Sequence, residues 1–365
     1  MNTPAGKPQT PPQRSAPPHN QKQGHFQKSS GNSSQQRPQG APRPQGQAQQ
    51  GQKPALPAGR RNGLKLYALG GFEQVGRNCF VIEVDGDIYI IDLGLQFPDE
   101  DMLGIDYLIP DLTALRGREN RIKAILFTHG HLDHIGAVQH LLPQLHFPPC
   151  YGTKLTMAFV KKRLEEEHLT SKARLNTVAY GQKLQIGKVS VEFLRVTHSI
   201  PDSAAVAVHT PYGTIVHTGD FKFDLTPMNE PPADFQRLSE LGQKGVLAII
   251  ADSTNATKPG NSKSEREIGE TIRSLIQDAS GRVIISTFSS LLNRIQQVVD
   301  HAKDFNRKVY LSGRSMETNV EIASPMNARP TSGVRSRSIY AEIALTWPRF
   351  SVDNVSNCRT SSTRS

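Results

Sequence analysis

Four side chains that commonly bind metals crowd into one short stretch, AILFTHGHLDHIGAV, at residues 124–138. His129, His131, Asp133 and His134 all fall within six consecutive positions. Packing gives these hydrated groups no reason to cluster, because imidazoles and carboxylates are mostly exposed in proteins. Imidazole is the common ligand for zinc and other first-row metals, while a carboxylate prefers harder ions or bridges two of them. The spacing therefore predicts a metal site.

Further ligands are predicted where later β-like runs end. His198 follows such a run in LRVTHSIPDS, and Asp220 follows another in IVHTGDFKFD. Asp92, in IIDLG, also comes at a strand end, before a glycine. We expect Asp92 to orient a metal ligand through a hydrogen bond rather than to bind a metal itself. The predicted site is thus assembled from several strand ends.

The elements that position these residues follow from the hydrophobic pattern. Short β-like runs come first, with a hairpin predicted across DGD at residues 85–87. A buried strand precedes the His-rich stretch, and a helix is predicted to begin near Ile135. Later, strands are predicted at GRVIISTF (281–288) and RKVYLSG (307–313), with helices between and before them.

This order of elements predicts two folded parts. Consecutive strands followed by strand–helix alternation favour an α/β sandwich over residues 63–240 and the start of a second α/β domain over residues 241–323. Between them, PMNEPPADFQ interrupts the pattern.

The net charge of +10 resides in two tails. Residues 1–62 have nine Lys/Arg, no Asp or Glu and one aromatic residue, Phe26, and this Gln/Pro/Gly-rich composition predicts disorder. Residues 324–365 have six Arg and two acidic residues. Residues 63–323 are slightly acidic, with 28 Lys/Arg against 31 Asp/Glu. The pI near 9.5 therefore does not indicate a basic nucleic-acid-binding face on the folded part.

The cysteines and the apolar runs indicate the cellular compartment and whether the protein associates with a membrane. Cys79, Cys150 and Cys358 lie far apart and form no CxxC pair, and the N-terminus has no signal-peptide pattern. This predicts a reduced, cytoplasmic setting. No apolar run approaches the roughly 18–20 residues that span a bilayer, so we expect no membrane association.

Longer stretches of the sequence resemble bacterial ribonuclease J, a β-CASP RNA nuclease of the metallo-β-lactamase superfamily. They are GGFEQVGRNCFVIEVDGDIYIIDLGLQFPDEDMLGIDYLIPD, TGDFKFD, DSTNATKPGNSKSEREIG and GRSMETNVEIA. The resemblance covers roughly Leu64 to Ala323. It implies a metallo-β-lactamase αβ/βα sandwich followed by the start of a β-CASP α/β domain. It also implies a metal-dependent ribonuclease of RNA processing and decay, a 5′→3′ exonuclease that also cuts internally and leaves 5′-phosphate products.

The same resemblance assigns the metal ligands by position. It implies that one ion is held by His129, His131 and His198, a second by Asp133 and His134, and both by Asp220. Two divalent ions are thus expected, with Zn²⁺ best suited to the His-rich site and Mn²⁺ as the alternative. Such a pair activates a water as hydroxide and stabilises charge on a phosphate. Asp133 and His134 would lie at the catalytic centre.

Four residues are candidates for RNA contacts. Asp252, in ADST, matches the acidic motif that opens the β-CASP domain, although a strand-end cap would also explain it. Ser312, Arg314 and Ser315, in SGRSM, could offer hydroxyls and a guanidinium to a phosphate, or form a solvated turn. RNA is the expected partner. The resemblance also implies a homodimer or higher homo-oligomer and partners in an RNA-decay complex.

Two features depart from the family pattern. Leu292 and Asn293 replace a polar segment containing His before Arg294. From Ser324 the sequence becomes Arg/Ser-rich and Lys-free, which is typical of a shifted reading frame or an unrelated tail. A full-length family member is expected to bring a further His ligand for the second metal and a loop that grips RNA phosphate. We therefore expect low activity if the chain ends as printed.

Two other functions stay open on the sequence alone. A thioesterase or lactonase on the same fold would use the same metals, but a second α/β unit suits a polymer substrate better. An inactive RNA-binding remnant would bind through its basic tail in a salt-sensitive way.

Overall fold

The computed structural model describes residues 63–327, with side chains as far as Ser324. The predicted disordered tail, residues 1–62, and almost all of the predicted divergent tail, residues 324–365, lie outside this part. Within it, no helix is both long enough and apolar enough to cross a membrane.

Six strands form the first sheet, and their spatial order follows the chain. They are β1 (Leu64–Gly70), β2 (Cys79–Val84), β3 (Asp87–Ile91), β4 (Ile122–Phe127), β5 (Cys150–Gly152) and β6 (Leu175–Thr177). β1 to β3 pair antiparallel, and β3 to β6 pair parallel. The hairpin predicted at DGD is confirmed, since Val84 pairs with Asp87. The parallel pairing places the carboxyl ends of β3 and β4 at one edge.

Five strands form the second sheet. They are β7 (Lys183–Ile186), β8 (Val189–Arg195), β9 (Ala204–Thr210), β10 (Gly213–His217) and β11 (Ala248–Ile250), in the spatial order β11-β10-β9-β8-β7. All neighbours are antiparallel except β10 and β11. Because β8 and β10 flank the antiparallel β9, they run in the same direction, and their carboxyl ends also share an edge.

The helices connect and cover these sheets. They are α1 (Leu132–Ile135), α2 (Val138–Leu141), α3 (Lys154–Glu166), α4 (Phe235–Lys244), α5 (Glu265–Asp278), α6 (Leu292–Asp304) and α7 (Arg314–Asn327), with 3₁₀ turns at Thr113–Leu115, Glu119–Arg121 and Thr170–Lys172. The helix predicted from about Ile135 begins three residues earlier, after the extended residue His131. α7 continues past Ala323, so the predicted divergence there does not coincide with a helix end.

Three apolar layers hold the architecture together. Side chains of both sheets, such as Tyr89 and Phe193, form the layer between the sheets, and both are fully buried. The Tyr89 hydroxyl donates a hydrogen bond to the Ile186 carbonyl at 2.9 Å, which ties the sheets together. Helices α1 to α3, α6 and α7 cover the outer face of the first sheet, and α4 covers the second. The predicted αβ/βα sandwich is therefore confirmed.

The prediction of two strands after α5 is wrong. Residues 281–288 and 307–313 are not assigned to any sheet, and Ile284 and Tyr310 are 87% and 84% exposed. A strand needs a neighbour for its backbone N–H and C=O groups, and the described residues supply none at these segments. The predicted helices α5 and α6 form there because a helix satisfies its backbone internally.

Candidate metal centre

Four strand ends converge at one edge of the sandwich. Asp92 follows β3, the His-rich stretch follows β4, His198 follows β8 and Asp220 follows β10. The loops of the second sheet are joined by a bridge in which the Lys222 amide donates to the Thr197 carbonyl at 2.8 Å. The two sheets meet where the Ala204 amide donates to the Thr128 carbonyl at 2.9 Å. These backbone bonds bring distant loops together.

The first group of side chains contains three imidazoles and one carboxylate. One ligand atom from each of His129, His131, His198 and Asp220 lies within 4.8 Å of the others. The Nδ1 atom of His131 is 3.1 Å from Nε2 of His129 and 3.1 Å from Nε2 of His198. Burial lowers the pKa of His129 and His198 and lowers that of His131 to about 4, which favours the neutral form with its lone pair. Converging neutral ring nitrogens are a donor set that fits a transition-metal cation.

The second group contains Asp133, His134 and, again, Asp220. The Nε2 atom of His134 is 3.5 Å from Oδ2 of Asp133 and 3.2 Å from Oδ1 of Asp220. The other Asp220 oxygen, Oδ2, is 3.7 Å from Nε2 of His198 in the first group. The two oxygens of one carboxylate therefore face the two groups, as a bridging ligand requires.

The electrostatics of the second group favour positive charge. Burial alone would lower the pKa of His134, but the carboxylates of Asp92, Asp133 and Asp220 outweigh it and raise this pKa well above its ordinary value. Burial alone would raise the pKa of Asp220, but a hydrogen bond to His134 and the neighbouring imidazoles hold it well below its usual range. A place that attracts a proton this strongly also suits a divalent cation.

Asp92 contacts a candidate metal ligand, His134, through a hydrogen bond. It is fully buried, and its Oδ2 atom accepts a hydrogen bond from Nδ1 of His134 at 2.7 Å. The amide and hydroxyl of Thr128 donate to the two Asp92 oxygens, each at 2.8 Å. This arrangement fixes the ring and turns Nε2 of His134 toward Asp133 and Asp220.

Asn78 supports the site, although no sequence pattern indicated it. Its side-chain amide donates to the Asp133 carbonyl at 3.1 Å and its Nδ2 atom lies 3.1 Å from Nε2 of His134. Gly94 makes this approach possible, because a Cβ there would lie 1.6 Å from the Asp133 carbonyl oxygen. A single asparagine in a loop has no motif, so only the structure identifies this support.

The two groups open into a cleft of about 990 Å³. Arg314 and Ser315, at the start of α7, line this cleft together with four of the six metal-ligand candidates, His131, Asp133, His198 and Asp220. Ser312 is exposed and does not line the cleft. Asp252 does not line it either; its carboxylate accepts from the Thr254 amide at 2.9 Å, which is a turn contact. The structure thus brings two of the four predicted RNA-contact residues, Arg314 and Ser315, to the lining of this cleft.

The comparison with protein families agrees with this geometry. The family model of the metallo-β-lactamase superfamily matches residues 73–270, and that of the ribonuclease J β-CASP domain matches residues 280–330. The chain belongs to the metallo-β-lactamase superfamily. The second match extends past Ala323, where the sequence resemblance was predicted to end. The family match and the cluster of His and Asp side chains together indicate that the chain uses divalent metal ions.

Several proteins with similar sequences are named ribonuclease J. The chain is 41% identical over 256 residues to ribonuclease J 1 of Streptococcus pyogenes serotype M3, which covers 70% of this chain and 45% of that protein. It is also 41% identical over 254 residues to ribonuclease J of Synechocystis sp., covering 69% and 40%. The chain therefore spans less than half the length of these relatives. Among solved structures, a protein of unknown function from Enterococcus faecalis V583 superposes with a TM-score of 0.49 at 16% identity, covering 65% of this chain and 63% of that one.

Proposed function

We propose that the protein is a metal-dependent ribonuclease that hydrolyses RNA phosphodiesters. The observation that carries this proposal is the pair of ligand groups that share Asp220 and open into a large cleft. The relatives named ribonuclease J support RNA as the substrate. They do not favour the small-molecule thioesterase or lactonase that the sequence left open.

The candidate ligands divide between two ions. His129, His131 and His198 would hold one, Asp133 and His134 the other, and Asp220 both. The excess of imidazole supports Zn²⁺ as the metal, with Mn²⁺ as the alternative. When bound, two such ions lower the pKa of water and stabilise the charge that develops on the phosphate.

The protein's own residues position these groups and the substrate. Asp92 holds His134 in place by a hydrogen bond to its ring, and Asn78 holds Asp133 by a hydrogen bond to its carbonyl. Arg314 and Ser315 can donate hydrogen bonds to phosphate oxygens where they line the cleft. Hydrolysis would add a hydroxyl to phosphorus and break its bond to the 3′ oxygen, which leaves a 5′-phosphate and a 3′-hydroxyl. A 5′→3′ direction with additional internal cuts is the mode supported by the resemblance.

The domain boundaries stay part of the proposal. Two separate family matches, over residues 73–270 and 280–330, support two parts, and the division into a metallo-β-lactamase part, 63–240, and a partial β-CASP part, 241–323, stays a prediction from the sequence. The tails, 1–62 and 324–365, stay sequence predictions.

Location and assembly also stay predictions. Buried free thiols at Cys79 and Cys150 support a reducing, cytoplasmic setting. A homodimer or higher oligomer, and partners in RNA decay, are supported by the resemblance alone. Sedimentation velocity over a range of protein concentrations would test self-association.

A cleavage assay tests the function itself. A 5′-labelled single-stranded RNA is incubated with the protein as purified, after chelation, and after return of Zn²⁺ or Mn²⁺. We expect cleavage only with metal, and Asp133→Asn to reduce it at least about 100-fold, more than the roughly 10- to 100-fold effect of losing an outer hydrogen-bond partner. The exposed Asp106→Asn variant is the matched control. Cleavage that persists after chelation or in Asp133→Asn would contradict the proposal.

A further inference from the structure

The loop that carries the metal-ligand candidate His198 is short and closed. It joins β8 to β9, and across its base the Val196 amide donates to the Ser203 carbonyl at 3.2 Å. Inside the loop, the Ser203 hydroxyl donates to the Ile200 carbonyl at 2.9 Å. His198 and Asp202 both lie in this constrained loop, with three residues between them. A displacement at Asp202 therefore also displaces His198.

Asp202 ties the loop to the N-terminus of α3. Its Oδ2 atom accepts a hydrogen bond from the Leu155 amide at 2.7 Å, and its carbonyl accepts one from the Thr153 hydroxyl at 2.6 Å. Thr153 is the N-cap of α3 but makes no side-chain capping bond. Asp202 therefore caps this helix from another segment, where a carboxylate also interacts favourably with the positive end of the helix dipole.

The remaining polar atoms of Asp202 have partners of their own. Tyr180 follows β6, and its hydroxyl donates to Asp202 Oδ1 at 3.0 Å. The guanidinium of Arg195 lies 4.5 Å from the centre of the Tyr180 ring, which favours this ring position. The Asp202 amide donates to the Glu230 carboxylate. Asp202 is thus held through its carboxylate, its carbonyl and its amide.

The backbone at Asp202 restricts which residues can make these contacts. Its φ of 65° lies in the left-handed region, which few residues other than glycine adopt. Asp and Asn tolerate this region better than other side chains. Glycine would adopt it freely but has no side-chain oxygen. The backbone and the contacts together therefore call for a short acceptor side chain.

We propose that Asp202 is a positioning residue, which anchors the loop of His198 so that this imidazole is ready to bind its metal ion. The anchor keeps Nε2 of His198 at 3.1 Å from Nδ1 of His131, in the first ligand group. A ligand that is already in place has less conformational freedom to lose when the metal binds. The inference rests on the metal site of the proposed function and adds to it a residue outside both ligand groups.

Zinc affinity tests this role in a double-mutant cycle. Asp133→Asn is the background throughout, so that the His-rich group is measured, and Zn²⁺ is titrated in competition with a chromogenic chelator. Asp202→Gly removes the carboxylate but permits the left-handed backbone. It should weaken Zn²⁺ binding by roughly 10- to 100-fold, the range for losing an outer partner of a metal ligand. In His198→Ala, which binds Zn²⁺ more weakly, Asp202→Gly should cause no further loss.

Three further variants sharpen the cycle. Asp202→Asn keeps an acceptor oxygen and tolerates the same backbone, so it should retain most of the affinity. Tyr180→Phe removes one partner of the carboxylate and should cause a smaller loss than Asp202→Gly, again only while His198 is present. Asn229→Gly is the matched control, because Asn229 is exposed and has a φ of 63°. It should bind Zn²⁺ as the background does.

The outcomes separate positioning from a general effect on the fold. An affinity of Asp202→Gly equal to that of Asn229→Gly would overturn the role of Asp202, and so would equal losses with and without His198. If Asp202→Gly does not fold, Tyr180→Phe decides. A loss that disappears in His198→Ala supports the role, whereas no loss, or a loss that persists, overturns it.

The cycle is independent of RNA. If the unsubstituted protein binds Zn²⁺ but cleaves no RNA, the proposed function fails while the cycle still decides the role of Asp202. If the unsubstituted protein binds no Zn²⁺, the metal site and the role of Asp202 both fail.

Discussion

The sandwich, which ends with β11 at Ile250, and the segment after it both contain apolar runs, but the exposure of the side chains in their extended segments differs. In the sandwich, strand residues such as Val81, Ile90 and Phe193 are fully buried. In the later segment, Ile284 and Phe288 are 87% and 80% exposed. The helices form in both regions, while extended segments become strands only in the sandwich. Local hydrogen bonds are sufficient to define a helix, whereas a strand depends on partners distant in sequence.

The two regions are joined by a charged cluster around Glu265, the first residue of α5. Its carboxylate lies 2.6 Å from Nζ of Lys222 and 2.8 Å from Nη2 of Arg294 in α6. Its amide donates to the Asp224 carboxylate at 2.8 Å. Since Lys222 lies two residues after Asp220, this cluster links α5 and α6 to a loop of the metal centre.

The largest expected difference between the regions is in core stability. Phe193→Ala removes a fully buried ring and should lower the free energy of unfolding by about 3–5 kcal/mol. Phe288→Ala removes an exposed ring and should change it by less than about 0.5 kcal/mol. Urea unfolding followed by circular dichroism measures both. Similar losses would show that the later segment is as well packed as the sandwich.

A smaller effect is expected from breaking the link between the regions. Glu265→Gln removes the carboxylate charge next to Arg294 and leaves Lys222 with Asp224 alone, at 3.5 Å. We expect the free energy of unfolding to fall by about 2 kcal/mol, below the range for fully buried pairs because both cations are partly exposed. Hydrogen exchange should speed up in α5 and α6 first. Glu267→Gln is the control, because the Glu267 side chain is 58% exposed. Unchanged exchange in Glu265→Gln would show that the cluster does not couple the regions.

The smallest effect concerns pH and the contact between Glu230 and Asn293 of α6. Burial, with help from Asp202, raises the pKa of Glu230 to about 7 from an ordinary value of 4.5, although the Asp202 amide, Asn293 and Arg195 oppose the rise. The folded state therefore binds this proton more tightly than the unfolded state does. The resulting contribution to the free energy of unfolding is complete below about pH 4.5 and is lost as the pH rises through about 7.

Glu230→Gln should remove that loss. Between pH 5 and pH 8, the free energy of unfolding of the variant should rise by about 1–2 kcal/mol relative to that of the unsubstituted protein. This is less than the full pKa shift would give, because Glu230 is half-exposed. Thermal unfolding at both pH values gives the difference, with the exposed Glu100→Gln as control. A constant difference across this range would mean that Glu230 ionises normally in the fold.

The sequence predicted the metal cluster better than its surroundings. Dense ligand spacing at His129–His134 and strand ends before His198 and Asp220 are local signals, and the fold brings them together at one edge. Asn78 was missed because its role depends on a close backbone approach at Gly94, which no pattern encodes. The strands at 281–288 and 307–313 were wrong because apolar content does not specify a pairing partner.

The central claim is a site for two metal ions that share Asp220. The most direct test is to saturate the protein with Zn²⁺ or Mn²⁺, remove free metal by gel filtration and count bound ions per chain by mass spectrometry of the metal. We predict two ions for the unsubstituted protein, one for Asp133→Asn, and loss at both positions for Asp220→Asn. A single ion in the unsubstituted protein, or two ions retained in Asp220→Asn, would contradict the account.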